Sequence, residues 1–379
     1  MATTHVFIVD TTTFNVHLKY MFAGTGAKEL SADILLSEKE SINKDERLLA
    51  GLAADAARVR TGDYILFYLQ QNKQKGVDEG QLFGIFRAKG RSFIDPQGKT
   101  LRAELGKKLT FRVHIQPYKV YAKGISEWDL LDNIEDIKSP KEMIWSLIYR
   151  KLRGNRGNTM VTLKESDRIF TLLSQKNKRK SLPGKGFLWD CDSQLIKSGK
   201  AVKYPNISKT LDVQPRLIAQ YVNSKRAFEN LLQTFIVGNV ETVLKDIFKG
   251  QKIDWLGNEV SCGVGMQRID ILVQSHDGNG NSFIYPIELK DEPLKTDIFK
   301  QMSRYIAWLQ LYYQDNKKPK IVPIVIAATP KQRKGKYVPK GADFERFNQD
   351  NKNNCQKLRY ITFSADKMLK FEEVDYKKI

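Results

Sequence analysis

The sequence predicts two domains of different architecture: an α+β domain built on a small β-barrel or twisted sheet, then an α/β domain with a central mixed sheet. Three observations predict this. The chain has 379 residues, 41% of them hydrophobic, which at about 150 residues per domain is enough for two cores. The first half carries short β-branched and aromatic runs bounded by turn residues. The second half reads as a helix, three strands, then helix, strand, helix and strand, the order of an α/β sandwich.

In the first half the strand candidates are HVFIVD (5–10), GDYILFYLQ (62–70), QLFGIFRAKGRSF (81–93) and LTFRVHIQPYKVY (109–121). Several strands at this spacing suit a barrel or a curled sheet. Residues 40–60 and 141–152 carry helical periodicity. These elements make a first domain over 1–174. From 175 to 224 the chain mixes Lys, Ser, Gly and Pro without a sustained apolar period, as a connector does. The second domain, 225–379, opens on a helix over 225–248 that Gly238 interrupts. Strands follow at 259–264, 268–274 and 283–289, the last two joined by His276-Asp-Gly-Asn-Gly-Asn281, whose Asp-Gly and Asn-Gly pairs signal a hairpin. A helix over 296–313 precedes a wholly apolar strand at 321–328, a pattern that fits cover on both faces, and 359–363 is a last strand. No repeat of fixed period is present, which excludes a solenoid.

Charge narrows the function. Lys and Arg number 63 against 43 Asp and Glu, a net +20. The 53 residues from 174 to 226 hold 12 basic and 3 acidic side chains, supplying +9 of that excess. A surplus this large points to a polyanionic partner, because each phosphate neutralised releases a condensed counterion. The longest apolar stretch, 321–328, is far short of the roughly 20 residues a membrane span needs. The first ten residues lack a basic segment followed by an apolar one, so a cytoplasmic protein is expected. Three scattered cysteines and four unclustered histidines form neither a disulfide framework nor a zinc knuckle. A catalytic metal would therefore take oxygen ligands.

The chemistry concentrates in RIDILVQSHDGNGNSFIYPIELK (268–290). A paired hairpin brings Asp270 on one strand near Glu288 and Lys290 on the next, and residues two apart on a strand share a face. Two carboxylates at one point are costly unless a divalent cation lies between them, and hard oxygen ligands suit Mg²⁺. A neighbouring lysine can orient water or meet charge developing on a phosphate. On the next helix Gln301 and Tyr305, four apart, share a face.

This arrangement, Asp270, then Glu288-Leu289-Lys290, then Gln301-x-x-x-Tyr305, resembles the PD-(D/E)XK nuclease superfamily, in particular its NucS/EndoMS mismatch endonucleases and related restriction endonucleases. The resemblance covers residues 225–365 and implies a restriction-endonuclease-like domain that hydrolyses phosphodiesters with Mg²⁺, or Mn²⁺ in its place. It makes Asp270, Glu288 and the Leu289 carbonyl metal ligands, sets Lys290 beside the attacking water, and has Gln301 and Tyr305 support the metal shell and the DNA backbone. The superfamily's helix carboxylate matches Glu241 best, with Glu229 as the other candidate. The gap from Glu241 to Asp270 is longer than the family's, and the first half of the chain lies outside the match; both departures bear on mismatch specificity.

The first half resembles PUA-like barrels of the EVE type, which read DNA or a flipped, modified base in an aromatic pocket. That resemblance makes Tyr64, Phe67, Trp128 and Trp145 base-pocket candidates. Arg150, Lys151, Arg153 and Arg156, with Lys178, Arg179 and Lys180 of the connector, are the candidates for contacting the DNA backbone. The resulting expectation is a restriction endonuclease, of the type II or type IV kind, acting on double-stranded DNA. Cutting both strands calls for two active sites, which a homodimer would supply. The alternatives are a mismatch- or structure-specific repair endonuclease and a nucleic-acid reader that does not cleave.

Overall fold

The computed structural model describes residues 2–27, 30–38, 44–131, 135, 137, 157–205, 209–223, 228–262, 267–313, 318–330 and 339–378. Two compact units result: residues 1–33 with 55–211, and residues 34–54 with 212–379. The first is an α+β unit with a curled half-barrel sheet, and the second is built on a mixed sheet. Among the described residues, no helix is long and apolar enough to cross a membrane.

In the first unit the elements run β1 (Thr4–Val9), α1 (Thr11–Tyr20), β2 (Phe22–Thr25), α2 (Lys44–Ala57, mostly in the second unit), β3 (Tyr64–Leu69), β4 (Gln81–Ala88), β5 (Phe93–Ile94), α3 (Arg102–Leu105), β6 (Phe111–Pro117), β7 (Ile125–Ser126), α4 (Glu127–Leu131), β8 (Asn158–Val161), α5 (Leu163–Lys176), β9 (Gly186–Asp190), β10 (Leu195–Gly199) and β11 (Lys209–Thr210). The sheet order is β11-β5-β6-β4-β3-β1-β8, with β2 on β6 and β7 on β4. Both faces of the central strands are covered. Phe7, Ile65, Phe67, Phe83 and Phe86 pack with Phe14 of α1 in one cluster, while Val6, Leu66, Leu82 and Ile85 pack with Ile169 and Leu173 of α5 in another. The alternation along β3 that sends Phe67 to one face sends Leu66 to the other.

The stretch 175–224 does not behave as the expected connector. Its aromatic and branched residues alternate along β9 and β10, a two-stranded hairpin, and Phe187, Trp189 and Ile196 enter the first unit's core. Lys and Gly between them masked that period. The expected first domain, 1–174, is corrected at its other end too, because most of α2 belongs to the second unit. Its small residues Ala50, Ala53 and Ala54 are buried. There Thr234 Oγ1 donates to the Ala50 carbonyl at 2.9 Å, and Glu46 receives a bidentate pair from the wholly buried Arg216 (2.7 and 2.8 Å).

The second unit continues with α6 (Gln214–Val222), α7 (Glu229–Gly238), α8 (Val240–Val243), β12 (Gln251–Cys262), β13 (Gln267–Asp277), β14 (Ser282–Lys290), α9 (Ile298–Tyr312), β15 (Lys320–Ile321), β16 (Ile324–Ala328), α10 (Gly341–Asp350), β17 (Arg359–Ala365) and β18 (Leu369–Glu373). The sheet order is β12-β13-β14-β16-β17-β18. Strands β14, β16 and β17 are parallel, short β15 also pairs parallel with β14, and β12, β13 and β18 join antiparallel. The β13–β14 turn forms as its residues dictate: Gly280 takes φ +76°, and the Asp277 carboxylate accepts from the Asn279 and Asn281 amides, both at 2.9 Å. The parallel core strand β16 is buried along its whole length.

Candidate active site

Lys290 is the last residue of β14, and Glu288 lies two before it on the same face. Helix α9 covers this strand end; its buried residues Ile298, Met302, Tyr305, Ile306 and Leu309 fall at helical spacing. That register brings Gln301 and Tyr305 onto Glu288. One Glu288 oxygen accepts from Lys290 Nζ and from Gln301 Nε2, both at 2.6 Å. The other lies 3.0 Å from the Tyr305 hydroxyl, which is 2.7 Å from the Arg268 carbonyl and accepts from Gln301 Nε2 at 2.7 Å. With one proton to give, Tyr305 ties the end of β14 to the start of β13.

Asp270, on β13, accepts the Leu289 amide at 2.8 Å. Helix α7 adds the third carboxylate: Glu229, in its first turn, lies 3.9 Å from Lys290 Nζ. Four residues on, Gln233 donates to the Asp270 carbonyl (3.0 Å) and to Glu259 (3.3 Å), while Glu259 pairs with Arg268 at 2.5 Å.

The electrostatics are unbalanced. Burial, then the charges of Glu288 and Glu229, holds the Asp270 carboxyl well above the usual range against the opposing pull of Lys290 and the Leu289 amide. Burial likewise pushes Glu229 up to about 7 despite Lys290. Burial by itself would lower the Lys290 ammonium, but Glu288 and Asp270 hold it above its ordinary value. Burial with the Glu288 charge raises the Tyr305 phenol, and raises the Cys262 thiol at the end of β12 to about 12. Three carboxylates thus share one lysine.

Of the sequence candidates, the structure brings together Asp270, Glu288, Leu289, Lys290, Gln301 and Tyr305. Glu241 is corrected: it is exposed on the four-residue α8, and the carboxylates that act on Asp270 are Glu288 and Glu229. The break at Gly238 turns the chain into a new helix, so Glu241 does not continue the face that Glu229 and Gln233 share. Gln233, Arg268 and Glu259 were not singled out from sequence, though Glu229-x-x-x-Gln233 repeats the four-residue spacing of Gln301 and Tyr305.

Among the described residues of the first unit, the base-pocket candidates Tyr64, Phe67 and Trp128 do not face one pocket. Phe67 is fully buried in the aromatic core, stacked on His17, and Trp128 is 66% exposed. Tyr64 lies on the opposite face of β3 from Phe67 and packs on Phe170. Trp145, Arg150, Lys151, Arg153 and Arg156 lie outside the described residues. Lys178, Arg179 and Lys180 are exposed just past the end of α5.

Among the described residues no three of His, Cys, Asp and Glu converge into a metal-holding group. The donors still suit a hard divalent cation. Mg²⁺ is commonly held by one or two carboxylates and keeps several waters, and the surplus negative charge on Asp270 and Glu229 is the kind a cation relieves.

No protein-family profile and no curated protein match the chain. Solved structures that share features with it include a hypothetical protein from Leishmania major (TM-score 0.28, 10% identity, 46% of this chain and 97% of that one). SfsA of Pyrococcus furiosus, in complex with Ca²⁺, gives a TM-score of 0.24 at 13% identity over 47% of this chain and 74% of that one. EndoMS, in a complex with double-stranded DNA, gives 0.22 at 19% identity over 45% and 52%. Likenesses this slight carry no argument, and the reading rests on the geometry of the site.

Proposed function

We propose that this chain is a metal-dependent DNA endonuclease that hydrolyses phosphodiester bonds, and that it restricts foreign DNA. The observation that carries the reading is the meeting of Asp270, Glu288 and Glu229 around Lys290, three carboxylates against one ammonium with Glu288 buried and the other two half-buried, an imbalance of the kind found at functional sites. Asp270, Glu288 and the Leu289 carbonyl would hold Mg²⁺ or Mn²⁺. The cation, when bound, supplies Lewis-acid polarisation of the phosphoryl group and an acidified water. Lys290 presents its ammonium where charge develops on the phosphate. Gln301 and Tyr305 fix the Glu288 carboxylate, the Leu289 amide fixes Asp270, and Gln233 holds the Asp270 backbone. The first unit, in this reading a PUA/EVE-like domain, reads the DNA sequence or a modified base, and Lys178, Arg179 and Lys180 follow the phosphate backbone.

A second reading, a nucleic-acid reader that does not cleave, is favoured by one observation: both Glu288 oxygens are already engaged, by Lys290, Gln301 and Tyr305. The test is cleavage of matched plasmid and phage DNAs, unmodified, methylated and hydroxymethylated, in Mg²⁺ or EDTA, by wild type, Lys290→Ala and Asp270→Ala. Discrete cutting that EDTA and both substitutions abolish is expected, and its dependence on modification identifies what is restricted. Cutting only of mismatched duplexes, whatever their methylation, would make this a repair enzyme. DNA binding that persists in EDTA with no cutting under any condition would leave the reader.

A further inference from the structure

A cavity of about 260 Å³ opens in the second unit between the end of α9, β15 and the segment after α10, lined by Leu309, Gln310, Tyr313, Pro319, Ile321, Cys355, three lysines (Lys318, Lys320, Lys352) and the carboxamides Asn353, Asn354 and Gln356. It is remote from the catalytic cluster. Lys320 and Ile321 pair with Phe283 and Ile284 at the start of β14, whereas Lys290 pairs with Ala327. Seven strand residues at about 3.3 Å each separate the two ends by about 23 Å.

Among the described residues the lining contains no acid. Helices α9 and α10 both end here, capped at Tyr313 and Asn351, and each contributes about −0.5 of partial charge. That offsets about one of the three ammonium groups. Asp277, half-buried in the β13–β14 turn with its carboxylate held by Asn279 and Asn281, faces Lys320 and offsets a further part of that charge. Positive charge therefore remains in surplus. The carboxamides add donors, and Gln310 and Asn354 hold one side of the wall through a 2.9 Å hydrogen bond. At just under the roughly 300 Å³ where small-molecule pockets begin, the space suits one phosphate with its sugar.

We propose that this cavity is a second, non-catalytic site for a phosphate-bearing ligand, held by Lys318, Lys320 and Lys352 as three point charges on acceptor-only oxygens. A free mononucleotide and a phosphate of the DNA backbone share this chemistry. The site does not depend on the endonuclease reading, since it binds whether or not the distant cluster cleaves.

The test compares the full-length wild type with the combined Lys318→Gln, Lys320→Gln and Lys352→Gln variant, with Lys352→Gln alone as the milder control and thermal melts to confirm equal folding. Inorganic phosphate and deoxyadenosine monophosphate are titrated by calorimetry, and a duplex of about 30 bp is titrated between about 50 and 200 mM salt. For a free nucleotide, wild type binds the small probes and the triple variant loses about tenfold or more in affinity, with DNA binding unchanged. For the DNA backbone, the log–log salt slope falls by about 2–3 in the triple variant, about 0.9 per lost contact. The proposal is overturned if neither small-probe affinity nor salt slope differs between wild type and the triple variant.

Discussion

Each unit buries a cluster of ionised side chains, and the two are assembled on opposite terms. In the first, Arg58, Arg60, Asp55 and Asp63 surround His5, two charges of each sign. Asp63 accepts from the Thr3 amide (3.2 Å), the Arg60 amide (2.9 Å) and His5 Nε2 (2.9 Å). Arg58 donates to His5 Nδ1 (3.4 Å), Asp55 (3.3 Å) and Asn158 (3.3 Å). In the second, Lys290 is the one cation among the described residues that Glu229, Asp270 and Glu288 share. A balanced cluster is consistent with holding strands together. An unbalanced one costs stability in the resting protein, and such a cost persists where a ligand or a reaction uses it.

The sharpest way to break this contrast is to remove a cation from each cluster. Lys290→Ala is expected to lower the rate of Mg²⁺-dependent cleavage by about 10²–10³-fold or more while the protein still melts cooperatively, as single-turnover cleavage and calorimetry would show. Arg58→Met takes the cation from buried Asp55 and a donor each from His5 and Asn158, and removing one partner of such a buried network costs about 3–5 kcal/mol. Urea unfolding measures that loss. Cleavage per folded molecule should not change. An Arg58→Met variant that unfolds like wild type would mean the first cluster does not hold the strands.

Sequence made one of these clusters legible and hid the other. Asp270, Glu288 and Lys290 stand out because strand alternation and a tight turn bring them together over 21 residues, and Gln301 and Tyr305 because helical spacing marks one face. Glu229 was visible only as an alternative to Glu241, since whether the chain continues its helix through Gly238 decides which carboxylate faces the sheet. The first cluster joins residues 5, 55, 58, 63 and 158, which no local period links. The fold was legible where apolar runs are unbroken, as in β3, β14 and β16. It was hidden where Lys and Gly interrupt the period, as in β9 and β10, and where α2 crosses from one unit's sequence into the other's core.

Acid should separate the units by sign. In the first, burial holds His5 below its ordinary value despite Asp63. Among the described residues His17 has no hydrogen-bond partner on either ring nitrogen; it stacks on Phe67, and burial and then Arg112 lower it to about 3. A histidine with a depressed folded pKa contributes stability that is present above the unfolded value of about 6.5 and is lost as pH falls toward 3. For His17 that is about 2 kcal/mol between pH 7 and 5. In the metal-free second unit Glu229 is raised to about 7. Its stability is present below the unfolded carboxyl value and is lost as pH rises through the folded one. Hydrogen exchange in EDTA, resolved by unit, should therefore show opposite slopes between about pH 5 and 6.5. His17→Phe should flatten the first unit's slope, and parallel slopes would erase the distinction.

The smallest effect tests the contrast most directly, because it asks whether the second cluster carries a cost when no cation is bound. Asp270→Asn keeps the shape of the side chain, lets its carbonyl oxygen accept the Leu289 amide as before, and removes the charge that Glu288 and Glu229 oppose. In EDTA the variant should be the more stable protein by about 1 kcal/mol, a rise in melting temperature of about 2–4 °C, while Mg²⁺-dependent cleavage is lost. Adding Mg²⁺ should narrow that gap by stabilising wild type and not the variant, because a ligand bound only by the folded wild type adds stability through mass action. The corresponding change in the balanced cluster, Asp63→Asn, removes one of two paired negative charges and should destabilise with or without Mg²⁺. If both substitutions destabilise in EDTA, the second cluster is an ordinary structural network and the surplus charge around Lys290 is not a cost held for function.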